Sequence, residues 1–393
     1  MLTEYDLSRS LNLLALFSII GTFEGLFIGI YLLLKKSVKS RANFCLGMVV
    51  LSVTSYLLPG GVYRIGLLPD LPHVVHLHMV TILLMGPFAL LYIQSCTQKE
   101  FKLRNLHWLH FLPALLALVY HLPFYFGPGE EKIIAFFQWF LEGKLNTPRV
   151  ITLLKILHPA IYFFICIRLV LDYRKHLTNT ASSIDVAFHR WLLVFCLVLL
   201  LPVLTVLVFS ISSFQYVSAT TFFGGLFLFI LSVHVATMIK PSLFHAFPHQ
   251  MLIPNSSEEK KQKYENSKLQ EVQKEQYIEK LRTFVTAEKP FLEPELTLAQ
   301  LSEKVNIPAH YLSQVINEKL QVNFLDFING YRVKEAQAKL IDPNLSHYTI
   351  LSIAYEAGFN SKSTFYTAFK KGTDMTPSQY RKKNNLQKVM GNG

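Results

Sequence analysis

Side chains able to do chemistry are few in the first 240 positions, and those few stand in apolar surroundings. Glu24 lies in the run 11–34, Lys155 and His158 lie i,i+3 in the run 150–171, and His234 lies in the run 222–239. An ionisable group in hydrocarbon is costly, so each is a candidate for sensing a ligand or signal. Bland roles stay open: Lys155 can snorkel to an interface, and Glu24 can be protonated or hydrogen-bonded between helices. Glu24 stands roughly 20 Å into its run at about 1.5 Å per residue, too deep to snorkel well. His73, His76 and His78 form a cluster whose nearby carboxylate is Asp70. Interfacial histidines explain it better than a metal, and no metal or cofactor is expected. Cys45, Cys96, Cys166 and Cys196 all fall in apolar runs without a CxxC pair. That argues against a disulfide scaffold or a zinc finger. The patterns HExxH, GxSxG and GxxxxGK[ST] are absent, so no catalytic set stands out and no enzyme is expected.

These residues sit in elements of membrane type. The 393-residue chain is 51% apolar and 16% charged, with a net charge of +12. A disordered chain is excluded, and an ordinary soluble globule is disfavoured. Met1–Lys240 holds 18 Lys/Arg and 10 Asp/Glu, whereas Pro241–Gly393 holds 20 and 16. The charge is therefore concentrated in the second part. A span needs about 20 apolar residues. Seven runs qualify: 11–34, 42–59, 74–95, 107–126, 150–171, 191–211 and 222–239, the second being weakest because it ends at Pro59-Gly60-Gly61. Ten Lys/Arg fall in the loops on one side and five on the other, which puts the N-terminus outside and everything after Lys240 in the cytoplasm. Trp108 and Trp191 sit at run ends as interface anchors do. Ile133–Leu141 reads as a helix lying on the outer surface.

The second part reads as helices with start and stop signals. Residues 241–255 contain Pro241, Pro248 and Pro254 and cannot form one helix. Ser256–Phe284 reads as a helix with a thin apolar stripe, either a coiled coil or a helix docked on its own domain. Thr297-x-x-Gln300 is a capping box. Asn306 suits a sharp turn, and Pro308 opens the next helix. In that helix Leu312, Val315 and Ile316 face inward, and His310, Ser313, Gln314 and Asn317 face outward. Asn323 caps a long helix that stops before Asp342-Pro343. The plan then repeats: Thr349 starts a helix, Gly358 takes the turn and Ser361 caps the next helix. Phe365, Ala368 and Phe369 face inward there, with Lys362, Ser363, Tyr366 and Thr367 outward. Thr376-Pro377 begins a last helix bearing Arg381, Lys382 and Lys383. The long helix separates the two units by roughly 25–30 Å at about 1.5 Å per residue, near one DNA turn.

Leu351-Ser-Ile-Ala-Tyr-Glu-Ala-Gly-Phe-Asn-Ser-Lys-Ser-Thr-Phe-Tyr-Thr-Ala-Phe-Lys370, followed by Met375-Thr-Pro-Ser-Gln-Tyr-Arg381, resembles the AraC/XylS family of bacterial transcription regulators. Leu312-Ser-Gln-Val-Ile-Asn317 resembles a variant of that family often found behind multi-span membrane regions. The likeness covers about 264–383. It implies double-stranded DNA as a partner, with His310, Ser313 and Gln314 in one major groove and Lys362, Ser363, Tyr366 and Thr367 in the next. Ser361, Lys370, Lys371 and Arg381 would contact phosphate. Thr367 replaces a common Arg, which weakens one contact, and Asp374 replaces a common Gly and must turn left-handed. From Lys319 onward there are 11 Lys/Arg and 5 Asp/Glu, a sign suited to phosphate.

The fold class expected is all-α: a transmembrane region over 1–240, a partly helical linker over 241–275, an AraC-type domain over 276–383 and a tail over 384–393. The function expected is a membrane-bound regulator of the bacterial cytoplasmic membrane. RNA polymerase, the lipid bilayer, a second copy of the chain and an unknown signal ligand are its other expected partners. The rival reading is a transporter or membrane enzyme whose C-terminal domain regulates it through protein contacts.

Overall fold

Helix caps and apolar stripes dominate the computed structural model, which describes residues 13–35, 40–98, 101–140, 149–184, 186–200, 204 and 270–391. Among the described residues every regular element is helical. The helices are α1 (Leu13–Leu34), α2 (Ser40–Arg64), α3 (His78–Thr97), α4 (Leu112–Phe126), α5 (Gly129–Phe140), α6 (Arg149–Thr180), α7 (Val186–Val198), α8 (Glu271–Glu288), α9 (Leu298–Val305), α10 (Ala309–Lys319), α11 (Phe324–Ile341), α12 (Ile350–Glu356), α13 (Lys362–Thr373) and α14 (Pro377–Gly391). The chain divides into two units, one of residues Met1–Leu171 and Phe188–His245, the other of Asp172–Ala187 and Ala246–Gly393.

Among the described residues four helices are long and apolar enough to cross a membrane: Arg41–Arg64, His78–Thr97 and Asn105–Phe126 in the first unit, and Leu153–Thr180, whose last residues from Asp172 on belong to the second. Ile19–Leu34 and Phe188–Val198 are shorter apolar helices. The expected run 222–239, and most of 191–211 beyond residue 200, lie outside the described residues. Glycines let helices approach closely, as packing in lipid favours. A Cβ on Gly29 would stand 2.6 Å from Leu51 Cγ, and one on Gly47 would stand 3.0 Å from Gly29 O, so α1 and α2 meet at backbone distance. A Cβ on Gly86 would lie 2.5 Å from Tyr162 Cδ2, which brings α3 and α6 together.

Three local expectations change here. Helix α2 does not stop at Pro59 but continues to Arg64. Gly61 rests against Thr22, where a Cβ would stand 2.6 Å from Oγ1, and packing of this kind holds a proline-containing helix together. Over the expected helix Ile133–Leu141 the structure places α5 at Gly129–Phe140, starting four residues earlier, and its Phe136 and Phe137 are buried with Val62, Tyr63, Leu68 and Val75. Trp191 is buried too, and its Nε1 donates to Tyr92 OH at 2.8 Å, whereas Trp108 is exposed. A buried hydrogen bond, not an interface, accounts for the position of Trp191.

The second unit has two cores on one shared helix. Leu281 and Val285 of α8 pack with Leu298, Leu301 and Val305 of α9, Leu312 and Ile316 of α10, and Phe324, Phe327 and Ile328 of α11. Val333, Ala336 and Leu340, further along α11, pack with Ile353, Ala354, Phe359, Phe365 and Phe369. Thus the first turns of α11 serve one core and its later turns the other. Helix α8 docks on its own domain through Ile278, Leu281 and Val285, and residues 256–269 lie outside the described ones.

Candidate nucleic-acid interface

Each of the two helix pairs is set by a cap, a left-handed residue and an apolar stripe. In the first pair Thr297 Oγ1 accepts from Gln300 N–H at 3.2 Å, and Gln300 Oε1 accepts from Thr297 N–H at 2.8 Å. This is the reciprocal capping box. Asn306 turns the chain at φ 50°, with its N–H on Glu303 O at 3.2 Å. Ile307 then enters the core, and α10 follows. Leu312, Val315 and Ile316 fill the buried side of α10. Positions 310, 313, 314 and 317 follow i, i+3, i+4, i+7 and make a single opposite stripe. His310 and Asn317 are exposed; Ser313 and Gln314 are half-buried. Gln314 Nε2 donates to Glu318 Oε1 at 3.0 Å, and Asn317 Nδ2 donates to Ser313 O at 2.8 Å.

Ion pairs fasten α10 to α8. Lys319 Nζ lies 2.6 Å from carboxylate oxygens of Glu271 and Glu275, and Lys274 Nζ lies 2.9 Å from Glu271 and from Glu318. Hydrogen bonds from Lys319 and Lys274 hold the Glu271 carboxyl down at about 2. The three carboxylates are exposed and the two lysines half-buried, so the network stays in reach of solvent, is screened and contributes little to stability. Its contribution is present above the ordinary glutamate range and fades as pH falls towards 2.

In the second pair Thr349 Oγ1 caps α12 by accepting from Ser352 N–H at 3.0 Å. Gly358 makes the turn at φ 90°, and Phe359 N–H donates to Ala354 O at 3.1 Å. Ser361 Oγ caps α13 by accepting from Thr364 N–H at 3.2 Å. Phe365 and Phe369 are buried. Lys362, Ser363, Thr367 and Lys370 are exposed and Tyr366 is half-buried, with Lys362 Nζ 5.7 Å from the Tyr366 ring. Asp374 ends the helix in the left-handed region at φ 56°, the conformation its place in the motif requires.

Other expected contact residues have partners inside the protein. Lys371 Nζ lies 2.8 Å from Asp326 Oδ2 on α11, an exposed pair that is easily exchanged for a phosphate. Arg381 is held within the domain: Nη1 donates to Tyr348 O at 2.9 Å and Nη2 to Leu345 O at 3.4 Å. Its guanidinium thus pins α14 to the turn before α12, which makes it a structural clamp here. In the first unit Glu24 is half-buried on α1. Lys155 is buried with Nζ donating to Met79 Sδ, and His158 packs on Tyr162 with ring centroids 4.8 Å apart. His234 lies outside the described residues. His73 Nδ1 is 3.0 Å from Lys132 Nζ, while His76 stacks on Phe124, so these two imidazoles have separate partners. Sequence reasoning passed over Arg332, a buried cation four residues after Ile328 and therefore on the inner face of α11. That spacing is the signal that could have found it.

Residues 301–383 match the family model described as "Helix-turn-helix domain". Over 87 residues the chain is 37% identical to the melibiose operon regulatory protein of Escherichia coli strain K12, covering 22% of this chain and 28% of that protein. It is 38% identical over 87 residues to an uncharacterized HTH-type transcriptional regulator of Staphylococcus aureus strain MSSA476, covering 22% of this chain and 11% of that protein. The chain thus spans less than a third of the length of these curated relatives. A solved structure of a protein of unknown function from Listeria innocua is 31% identical and covers 27% of this chain and 94% of its own, with a TM-score of 0.24, too low to bear on the fold. Residues 301–383 therefore carry a helix-turn-helix domain of the AraC type, and the two curated relatives named above are regulators, not enzymes.

Proposed function

We propose that this protein is a membrane-bound regulator of transcription that reads duplex DNA through two helix-turn-helix units. The observation that carries the reading is the pair of outward stripes, on α10 and α13, each backed by a buried apolar stripe on the same helix. Both pairs share α11, so their spacing is held by one rigid element. In this reading α10 lies in one major groove with His310, Ser313 and Gln314 at base edges, and α13 in the next with Lys362, Ser363, Tyr366 and Thr367. Lys370 and Lys371 meet phosphate, and the Ser361 cap stands beside it. Phosphate contacts position the protein, and base contacts specify the site. The name of the melibiose operon relative supports control of an operon as the outcome. RNA polymerase, a second copy of the chain and a signal ligand complete the partner set.

The membrane part of the proposal draws on four helices of spanning length and on their uncovered faces. Leu115, Leu116 and Val119 of α4, and Leu157, Ile161 and Phe164 of α6, are exposed. Apolar surface of that extent suits lipid. We extend it to the seven spans of the sequence pattern, with the N-terminus outside and the DNA-binding domain in the cytoplasm. Glu24, Lys155, His158 and His234 are the sensing candidates.

Two experiments test this reading. The full chain in lipid nanodiscs, incubated with a randomised duplex pool, should enrich a two-part site, and its affinity should fall steeply with salt. A pool that stays random after repeated selection overturns the DNA reading. Separately, an alkaline phosphatase reporter should be active when fused at Gly127 and silent when fused after Lys240. The opposite pattern would put the DNA-binding domain on the wrong side of the membrane.

A further inference from the structure

The segment Asp172–Ala187 joins α6 to α7, yet it belongs to the unit built by the C-terminal helices. Ala181 forms an antiparallel bridge with Thr297, and Ser182 N–H donates to Leu296 O at 3.1 Å. Ala181, Ser182 and Ser183 are all buried. Against them lies Arg332, itself fully buried. Its Nη1 donates to Ser182 O at 2.7 Å and its Nη2 to Ser182 Oγ at 3.0 Å. The remaining acceptors are Phe291 O and Glu293 O at 2.7 Å, Pro294 O at 3.3 Å and Asn329 Oδ1 at 3.5 Å. All of these acceptors are neutral. A guanidinium has five donors, and a buried cation depends on having them satisfied. Burial pushes Arg332 down to about 10, which leaves it charged at neutral pH. Without Ser182, Nη1 would keep only the long contact to Asn329. The segment therefore completes the coordination of a charge inside the DNA-binding domain.

Arg332 also marks the seam between the two helix pairs. Its hydrogen bonds go to the turn 291–294, which closes the first core, while its guanidinium lies 5.8 Å from the ring of Phe359 in the second core. Gly358 of the second pair packs directly on Phe291 O and Leu292 Cα. Thr180 ends α6 and Val186 begins α7, so the described residues 181–184 lie in a short tether between two helix ends.

We propose that Asp172–Ala187 is a latch: it docks on the DNA-binding domain at the seam between the helix pairs, and the grip of Arg332 on Ser182 sets how the pairs are placed. A displacement of the ends of α6 or α7 then reaches both recognition helices through one side chain. The regulatory meaning rests on the DNA-binding reading above; the docking and the control of the seam do not.

The test uses the full chain in membrane vesicles. Residues paired across an antiparallel bridge have the Cα spacing a disulfide needs, and the native cysteines are buried. Ala181→Cys with Thr297→Cys should close an intrachain disulfide on mild oxidation, absent from either single variant. Ser182→Arg puts a second cation against Arg332; in that background disulfide formation should slow at least tenfold. Hydrogen exchange without DNA should also rise at least tenfold at Leu292 and Phe359, whereas Ser182→Ala, which keeps the carbonyl, should change it less than threefold. No disulfide in a chain whose helicity is intact overturns the latch. Unchanged exchange at Leu292 and Phe359 in Ser182→Arg overturns the control of the seam. A disulfide that forms in a protein selecting no duplex would sink the DNA reading and leave the latch standing.

Discussion

Gly358→Ala is expected to loosen the second helix pair by about 2–6 kcal/mol, the sum of a strained backbone and a steric overlap. Gly358 sits at φ 90°, where an L-residue is strained whatever the space around it. A Cβ there would also run into Phe291 O and stand 2.8 Å from Leu292 Cα, and both are backbone atoms that cannot rotate away. The same helical domain contains the opposite case. Gly330 lies inside α11, exposed, with nothing within 4 Å of its missing Cβ. Gly330→Ala should therefore stabilise by about 0.5–1 kcal/mol, because alanine loses less backbone entropy in a helix. Hydrogen exchange across Ile350–Thr373 in the full chain reads both effects as changes of opposite sign. Equal effects of the two alanines would mean that the Gly358 turn is not the constraint the geometry makes it.

The contrast between those glycines shows what kind of information sequence carries here. Caps at Thr297, Asn323, Thr349 and Ser361 are legible because each bonds an N–H three residues on. The turns at Asn306 and Gly358 are legible for the same local reason, and the stripes of α10 and α13 follow from helical periodicity. Less legible are groups whose partners are distant in the chain. Arg381 looks like one more cation of a basic helix until its bonds to Leu345 and Tyr348 are known. Lys132 looks like a loop charge, yet it is buried with Nζ on Tyr125 O at 2.9 Å and Gly127 O at 2.6 Å. Ser182 is 150 positions from Arg332, and neither residue type suggests the other. In the first unit, hydropathy identifies apolar runs but not which of their sides are covered by other helices: Trp191 and the aromatic pair of α5 turn inward because partners on other helices receive them.

Alanine substitutions on α13 should separate base reading from phosphate binding. The full chain in nanodiscs, titrated with its selected duplex, should lose about 1–3 kcal/mol when Lys362 or Tyr366 becomes alanine, with preference relaxed at one or two base pairs. These two side chains lie side by side on the outward stripe, so their losses should overlap and not add. Lys370→Ala should weaken every duplex alike and reduce the salt slope by about one unit, because a phosphate is the same in all sequences. Gln314→Ala should relax a position about ten base pairs from the Lys362 contact, since its helix belongs to the other pair. Arg381→Ala provides the internal contrast: its guanidinium is bonded to two carbonyls, so the loss should fall on stability of the α12–α14 region and not on the pattern of base preference. If Lys362, Tyr366 and Gln314 are all silent in binding while circular dichroism shows intact helices, the outward stripes do not read DNA. The domain would then act through protein contacts, and the helix pairs would be a scaffold for those.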